Sequence, residues 1–162
     1  YLNSLTRLDP VKVPDGYVAD VCLHVSAVKG EDGLLHNTRN ASEAGQYYAM
    51  LFGDVSLDEP KYERLKFHIE DGFLSYAQSL DGRAFVPVNA FIGRYLRMQT
   101  LLMLGEYEIL LENVGTFFSG MAETTSTLWE YKDGKGSRDH GFASYAAVAI
   151  VEALEGIRNI SK

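Results

Sequence analysis

The sequence predicts an all-α protein of antiparallel helical hairpins in layers. Three observations lead there. Apolar residues recur at helical spacing through most of the chain. Short breaks at glycines and turn pairs punctuate them, which favours antiparallel neighbours. One segment, Asn89 to Leu104, is apolar on more than one side (Phe91, Ile92, Tyr95, Leu96, Met98, Leu101, Leu102). A helix apolar all round is buried, so inner helices wrapped by outer ones are expected, in a single helical domain over residues 1–162.

Tyr1 to Asp15 carries two of the four prolines and reads as an irregular lead-in. Gly16 to Val28 reads as a helix, although its β-branched content also allows a strand. Lys29 to Gly33 is a turn. Ser42 precedes an apolar-periodic helix that ends at Phe52, before Gly53. Pro60 suits the first turn of the next helix, with Leu65, Ile69, Phe73 and Tyr76 on one face, and Asp81-Gly82 ends it. Asn89 opens a helix stopped by Gly105, and Glu106 to Met121 follows, interrupted by Gly115 and Gly120. Thr124 to Arg138 is polar and irregular. A last helix runs from about Phe142 to Ile157, with alanines at its packing positions.

Composition narrows the function. The formal net charge is −7, which disfavours nucleic acid and anionic membrane surfaces, since both require clustered Lys and Arg. No apolar run is long enough to span a bilayer. The single cysteine, Cys22, permits no intrachain disulfide or thiolate metal cluster and is expected as a buried thiol. His24, His36 and His68 lack metal-ligand spacing, and no cofactor is expected. Asn40-Ala41-Ser42 matches a glycosylation sequon but is better read as a helix start, and Asn159-Ile160-Ser161 matches one also. Arg94 and Arg97 lie one turn apart on an apolar helix, where an ion pair with a carboxylate is the default and a sugar-hydroxyl contact the sharper alternative. Neutral ligands such as sugars stay open, and aromatic residues, 12% of the chain, stack well on them.

Chemistry concentrates between Gly120 and His140. That stretch holds the only Trp, the carboxylates Glu123, Glu130, Asp133 and Asp139, and a His, in a loop between two helices. Trp129 beside Glu130 sets a flat apolar face next to a carboxylate, which is what a carbohydrate site needs: a platform for the ring and a base for a water. A solvated loop with Trp129 plugged into the core is the plainer alternative.

The segment Thr124-Thr125, Thr127-Leu128-Trp129-Glu130, Gly136-Ser137 and His140-Gly141-Phe142-Ala143 resembles a signature of bacterial alpha-L-rhamnosidases and their six-hairpin relatives. Ala41 to Tyr48, and Pro87 to Leu104 with Gly105-Glu106-Tyr107, are similar to two further helices of that family. The likeness spans roughly residues 30 to 157. It implies an α/α toroid of helical hairpins and an inverting glycoside hydrolase acting on alpha-L-rhamnosides. Glu130 would be the general base, His140 a group orienting the sugar, and Trp129 a wall of the site. An inverting site also needs a carboxylic acid about 6.5–9.5 Å from the base. In the family it lies upstream of the position of Glu43, so neither Glu43 nor Glu123 is expected to serve.

With about half the helices of a six-hairpin toroid, and beginning at Tyr1 rather than Met, the chain is expected to be a fragment lacking the acid, with an incomplete toroid and apolar surface open to self-association. It carries no signal for a cellular location. Two other classes compete: a carbohydrate-binding helical module without catalysis, and a helical interaction protein of solenoid type. The lack of an internal repeat and the irregular loop weigh against the second.

Overall fold

The structure, a computed structural model, describes residues 7–10, 22–29, 31–32, 35–52, 58, 66, 69–70 and 85–161. The chain divides into two compact units, Tyr1–Pro87 and Val88–Lys162. The described residues are mostly helical, and a four-stranded sheet lies in the first unit.

That sheet has the order β1 (Arg7–Pro10), β2 (Cys22–Lys29), β3 (Leu35–Ser42), β4 (Phe85–Val86). β1 and β3 flank β2 antiparallel, and β4 joins β3 in parallel. The pairing runs Arg7 to Val25 and Pro10 to Cys22 on one side, and Val28 to His36 on the other, with a register shift between Val25 and Ala27. The helix expected over Gly16 to Val28 is therefore corrected to a strand from Cys22. Val25 and Val28 are stiff at χ1 and fit a pleated strand better than a helix, and two pairing partners outweigh a weak helical period. The irregular lead-in likewise contains a strand. Glu31 and Asp32 form the expected exposed turn joining β2 to β3. The side chain of Cys22 lies outside the described residues, as do Asp81-Gly82 and most of the helix expected after Pro60. Within that helix, Ile69 and Glu70 are helical and Ile69 is fully buried.

Helix α1 (Glu43–Phe52) starts where Ser42 predicts. The Gly45 N–H donates to Ser42 Oγ at 3.1 Å, satisfying an amide of the first turn that has no helical acceptor. The Gln46 side chain donates to the Ser42 carbonyl at 2.9 Å. Within the helix, the buried Tyr47 hydroxyl donates to Glu43 Oε1 at 2.6 Å. Ser42→Ala removes the cap and is expected to cost about 1 kcal/mol, read as a lower denaturant midpoint at unchanged slope. An unchanged midpoint would mean that the cap contributes nothing.

The second unit carries α2 (Phe91–Leu104), α3 (Tyr107–Thr125), a 3-10 turn (Gly141–Ser144) and α4 (Tyr145–Ile160). Gly105 ends α2 in the left-handed region at φ 75°. Its N–H donates to the Leu102 carbonyl and that of Glu106 to Leu101, which satisfies two orphan carbonyls. α3 runs unbroken through Gly115 and Gly120. The core combines Phe91, Leu96, Met98 and Leu101 of α2 with Leu110, Val114, Phe117, Phe118 and Met121 of α3. α4 packs on both helices through Ala146, Ala149 and Ala153, a stripe small enough for close approach. Arg97 is buried and its Nε–H donates to Asn113 Oδ1 at 2.7 Å. Arg94 donates to the Val88 carbonyl at 3.2 Å and lies 4.4 Å above the Phe117 ring.

Close approach also fixes a glycine. A Cβ on Gly156 would sit 2.3 Å from the Tyr107 ring, whereas one on Gly115 would meet nothing within 4 Å. Helix propensity alone favours Ala at both sites by about 1 kcal/mol. Gly115→Ala should therefore stabilise by about 0.5–1 kcal/mol, and Gly156→Ala should instead destabilise by about 1–3 kcal/mol through overpacking. Thermal unfolding of the two variants checks the opposite signs; a shared sign would refute the close contact.

Candidate functional site

The segment between α3 and α4 is built as a small hairpin. Ser126, a non-glycine residue at φ 58°, ends α3, with its N–H donating to Ala122 at 2.8 Å. The chain then doubles back. His140 N–H donates to the Leu128 carbonyl at 2.9 Å and Glu130 N–H to the Ser137 carbonyl at 2.8 Å. Gly134 and Gly136, at φ 73° and 71°, make the turn. Asp133 accepts the Lys135 N–H at 3.1 Å and pairs with its ammonium at 3.2 Å. The amide first, and then the side chain of Lys135, hold the Asp133 carboxyl below its ordinary value. This pair is solvent-exposed and stabilises little.

The outer edge of the hairpin pairs with the lead-in to α2. Phe91 N–H donates to the Glu130 carbonyl at 2.7 Å, Lys132 N–H to Asn89 at 3.2 Å, and Ala90 bridges Tyr131. Phe91 is the first residue of α2, so its N–H has no acceptor within the helix. Glu130 supplies one and is thereby anchored to a rigid element.

Glu130 is half-buried. Its Oε2 accepts the Ser137 N–H at 3.2 Å. Among the described residues no hydrogen bond reaches Oε1, which leaves that oxygen to solvent or ligand. Trp129 is held differently. Its ring N–H donates to Thr125 Oγ1 at 2.8 Å, and the Arg138 guanidinium lies 5.0 Å from the ring centre. Arg138 Nε–H donates in turn to the Gly134 carbonyl at 3.2 Å. The Trp129 ring thus sits against the turn of its own hairpin.

His140 lies at a cavity of about 380 Å³, lined also by Phe91, Ile92, Tyr95, Phe142 and Tyr145. The imidazole is 5.8 Å from the Phe91 ring and 5.7 Å from that of Phe142. Tyr95 meets Tyr145 edge to face at 4.7 Å. The Tyr145 hydroxyl accepts from the Gln99 side chain, and burial first, then the charge of Glu152, raises its pKa. Of the three residues the sequence marks, His140 lines the cavity, and Glu130 and Trp129 do not. Glu130 is tied to it through Phe91, whose amide meets the Glu130 carbonyl and whose ring meets His140. The sequence marks none of the four aromatic wall residues as a site residue: the spacing of Phe91 to Tyr95 and of Phe142 to Tyr145 reads as ordinary helical packing.

The segment therefore presents one anchored carboxylate with an open oxygen, and one imidazole at a ring-lined cavity. Such a set can accept a proton and stack on a neutral ring. Among the described residues no group of three His, Cys, Asp or Glu side chains is placed to hold a metal ion, and no helix is long and apolar enough to cross a membrane. Compared with known protein families, with curated proteins and with solved structures, the chain matches none.

Proposed function

We propose that Val88–Lys162 belongs to a toroid of helical hairpins and carries the base side of an inverting glycoside hydrolase site for alpha-L-rhamnosides. Glu130 is the general base. Water on the far face of the sugar gives its proton to Oε1 as its oxygen attacks the anomeric carbon, and the glycosidic bond breaks with its electron pair leaving on the aglycone oxygen, as a stabilised anion or protonated by a separate general acid. His140 orients the sugar, and the rings around it stack on its apolar face.

The observation that carries this reading is the state of the Glu130 carboxylate: one oxygen fixed by the Ser137 amide, the other without a donor among the described residues. A general base needs that combination of fixed orientation and an open lone pair. Trp129 serves by bracing the hairpin through Thr125 and Arg138.

A second use of the same carboxylate is purely structural, as an acceptor for the turn amide. A carbohydrate-binding module would keep that bond and lack turnover. Hydrolysis of p-nitrophenyl alpha-L-rhamnoside by the chain and by Glu130→Gln separates the two. The nitrophenolate leaves as a stabilised anion, so the assay makes little demand on a general acid and reports the base. Turnover that depends on Glu130 supports the hydrolase. Binding of L-rhamnose with no turnover in either protein supports the module, and neither binding nor turnover ends both.

A further inference from the structure

The hairpin is irregularly paired, and one of its irregularities involves Glu130. In a regular antiparallel pair, two opposed residues exchange both N–H to carbonyl bonds. Here Glu130 N–H donates to the Ser137 carbonyl without a return bond, and the Glu130 carbonyl accepts from the Phe91 amide instead. The Ser137 N–H donates instead to Glu130 Oε2. The carboxylate, and not the carbonyl, of Glu130 is thus the acceptor for the Ser137 amide.

Room for this substitution comes from Gly136. It sits at φ 71°, and a Cβ there would lie 2.6 Å from Glu130 Oε2 and 3.0 Å from the Tyr131 ring. That is closer than a carbon and an oxygen can approach, so any side chain at 136 must displace the carboxylate or the turn. Gly134 has nearly the same φ, but a Cβ there would meet Arg138 and Trp129 and not Glu130. The two glycines therefore have different tasks: Gly134 shapes the turn, and Gly136 leaves space for the carboxylate.

We infer that Gly136 and the Ser137 amide form a clamp that sets the orientation of the Glu130 carboxylate, making Gly136 a positioning residue for the reaction. The inference rests on the function proposed above. The clamp spends one oxygen, Oε2, on orientation and reserves Oε1 for the water.

Gly136→Asn tests it. Asn tolerates the left-handed region better than other side chains, so the variant introduces the Cβ with little backbone strain. Gly134→Asn is the matched control. The first readout is the Ser137 amide proton in the NMR spectrum of each protein, whose other resonances also report the fold. A bond to a carboxylate should place it downfield in the wild type and in Gly134→Asn, and upfield in both Glu130→Gln and Gly136→Asn. The second readout is turnover of p-nitrophenyl alpha-L-rhamnoside. Gly136→Asn should lower kcat by about 10²-fold with KM nearly unchanged, the penalty for a misaimed catalytic group.

A Ser137 resonance indifferent to Glu130→Gln or to Gly136→Asn overturns the clamp, whatever the activity. A resonance that moves in Gly136→Asn while kcat holds overturns its positioning role. Wild-type turnover in Glu130→Gln, or none in the wild type, overturns the proposed hydrolase and the catalytic half of the clamp. The amide readout still decides whether the clamp exists.

Discussion

Glu130→Gln is expected to lower hydrolysis of p-nitrophenyl alpha-L-rhamnoside by about 10²–10⁴-fold, the usual worth of a general base, with L-rhamnose binding retained. Gln is nearly isosteric with Glu. Its amide oxygen can still accept from Ser137, and the backbone bonds of residue 130 to Phe91 and Ser137 need no side chain. The hairpin should therefore survive, and the loss should fall on kcat rather than on folding. A neutral amide has no lone pair basic enough to take the water proton, so the attacking oxygen would have to develop positive charge.

Stereochemistry gives a second handle on the same variant site. If water attacks from the face opposite the leaving group, the sugar first released has inverted configuration, which NMR detects before mutarotation. Glu130→Ala in the presence of azide should recover turnover and yield the inverted glycosyl azide, because an anionic nucleophile needs no base. Equal rates for wild type and Glu130→Gln, or release of the retained anomer, would remove Glu130 from the role of base.

The parts of the fold that were legible in sequence are those decided locally. Ser42 caps α1 and Gly105 ends α2 because each acts through neighbours within a turn. The strands were hidden for the opposite reason. Cys22–Lys29 carries a pattern compatible with two periods, and β1 and β3 decide between them. Leu35–Ser42 is a polar stretch whose strand character comes from pairing rather than from its own residues.

The candidate site divides in the same way. Trp129, Glu130 and His140 stand out because a carboxylate, an indole and an imidazole cluster within a few residues. That Glu130 is anchored by Phe91, and that Phe91, Tyr95, Phe142 and Tyr145 line one cavity with His140, depends on α2 and the start of α4 meeting in space. Local pattern carries no record of such a meeting. The glycines at 134 and 136 read alike in sequence and are told apart only by what a Cβ would touch.

Phe118→Ala is expected to destabilise the Val88–Lys162 unit by about 3–5 kcal/mol, the cost of deleting a buried ring and leaving a cavity. Phe118 is 5% exposed, meets Phe117 edge to face at 4.8 Å, and lies 6.4 Å from Phe91. Domains are stable by only about 5–15 kcal/mol in total, so this one truncation removes a large share, and chemical unfolding should show the midpoint fall. Phe118→Leu keeps most of the volume and should cost less, on the order of 1.5 kcal/mol. A loss under about 1 kcal/mol for Phe118→Ala, outside the range for a buried ring, would contradict the packing described.

The pair also bears on the site, because Phe91 stands between Phe118 and His140. Loosening Phe91 from behind should weaken ligand binding at the cavity in the folded protein and leave the Ser137 to Glu130 bond in place. Glu130→Gln should leave binding in place and shift the Ser137 amide signal, because the acceptor becomes neutral. If both variants instead lost binding and the amide signature together, the cavity and the carboxylate would be one cooperative unit, and the division of labour between stacking and proton transfer would not hold.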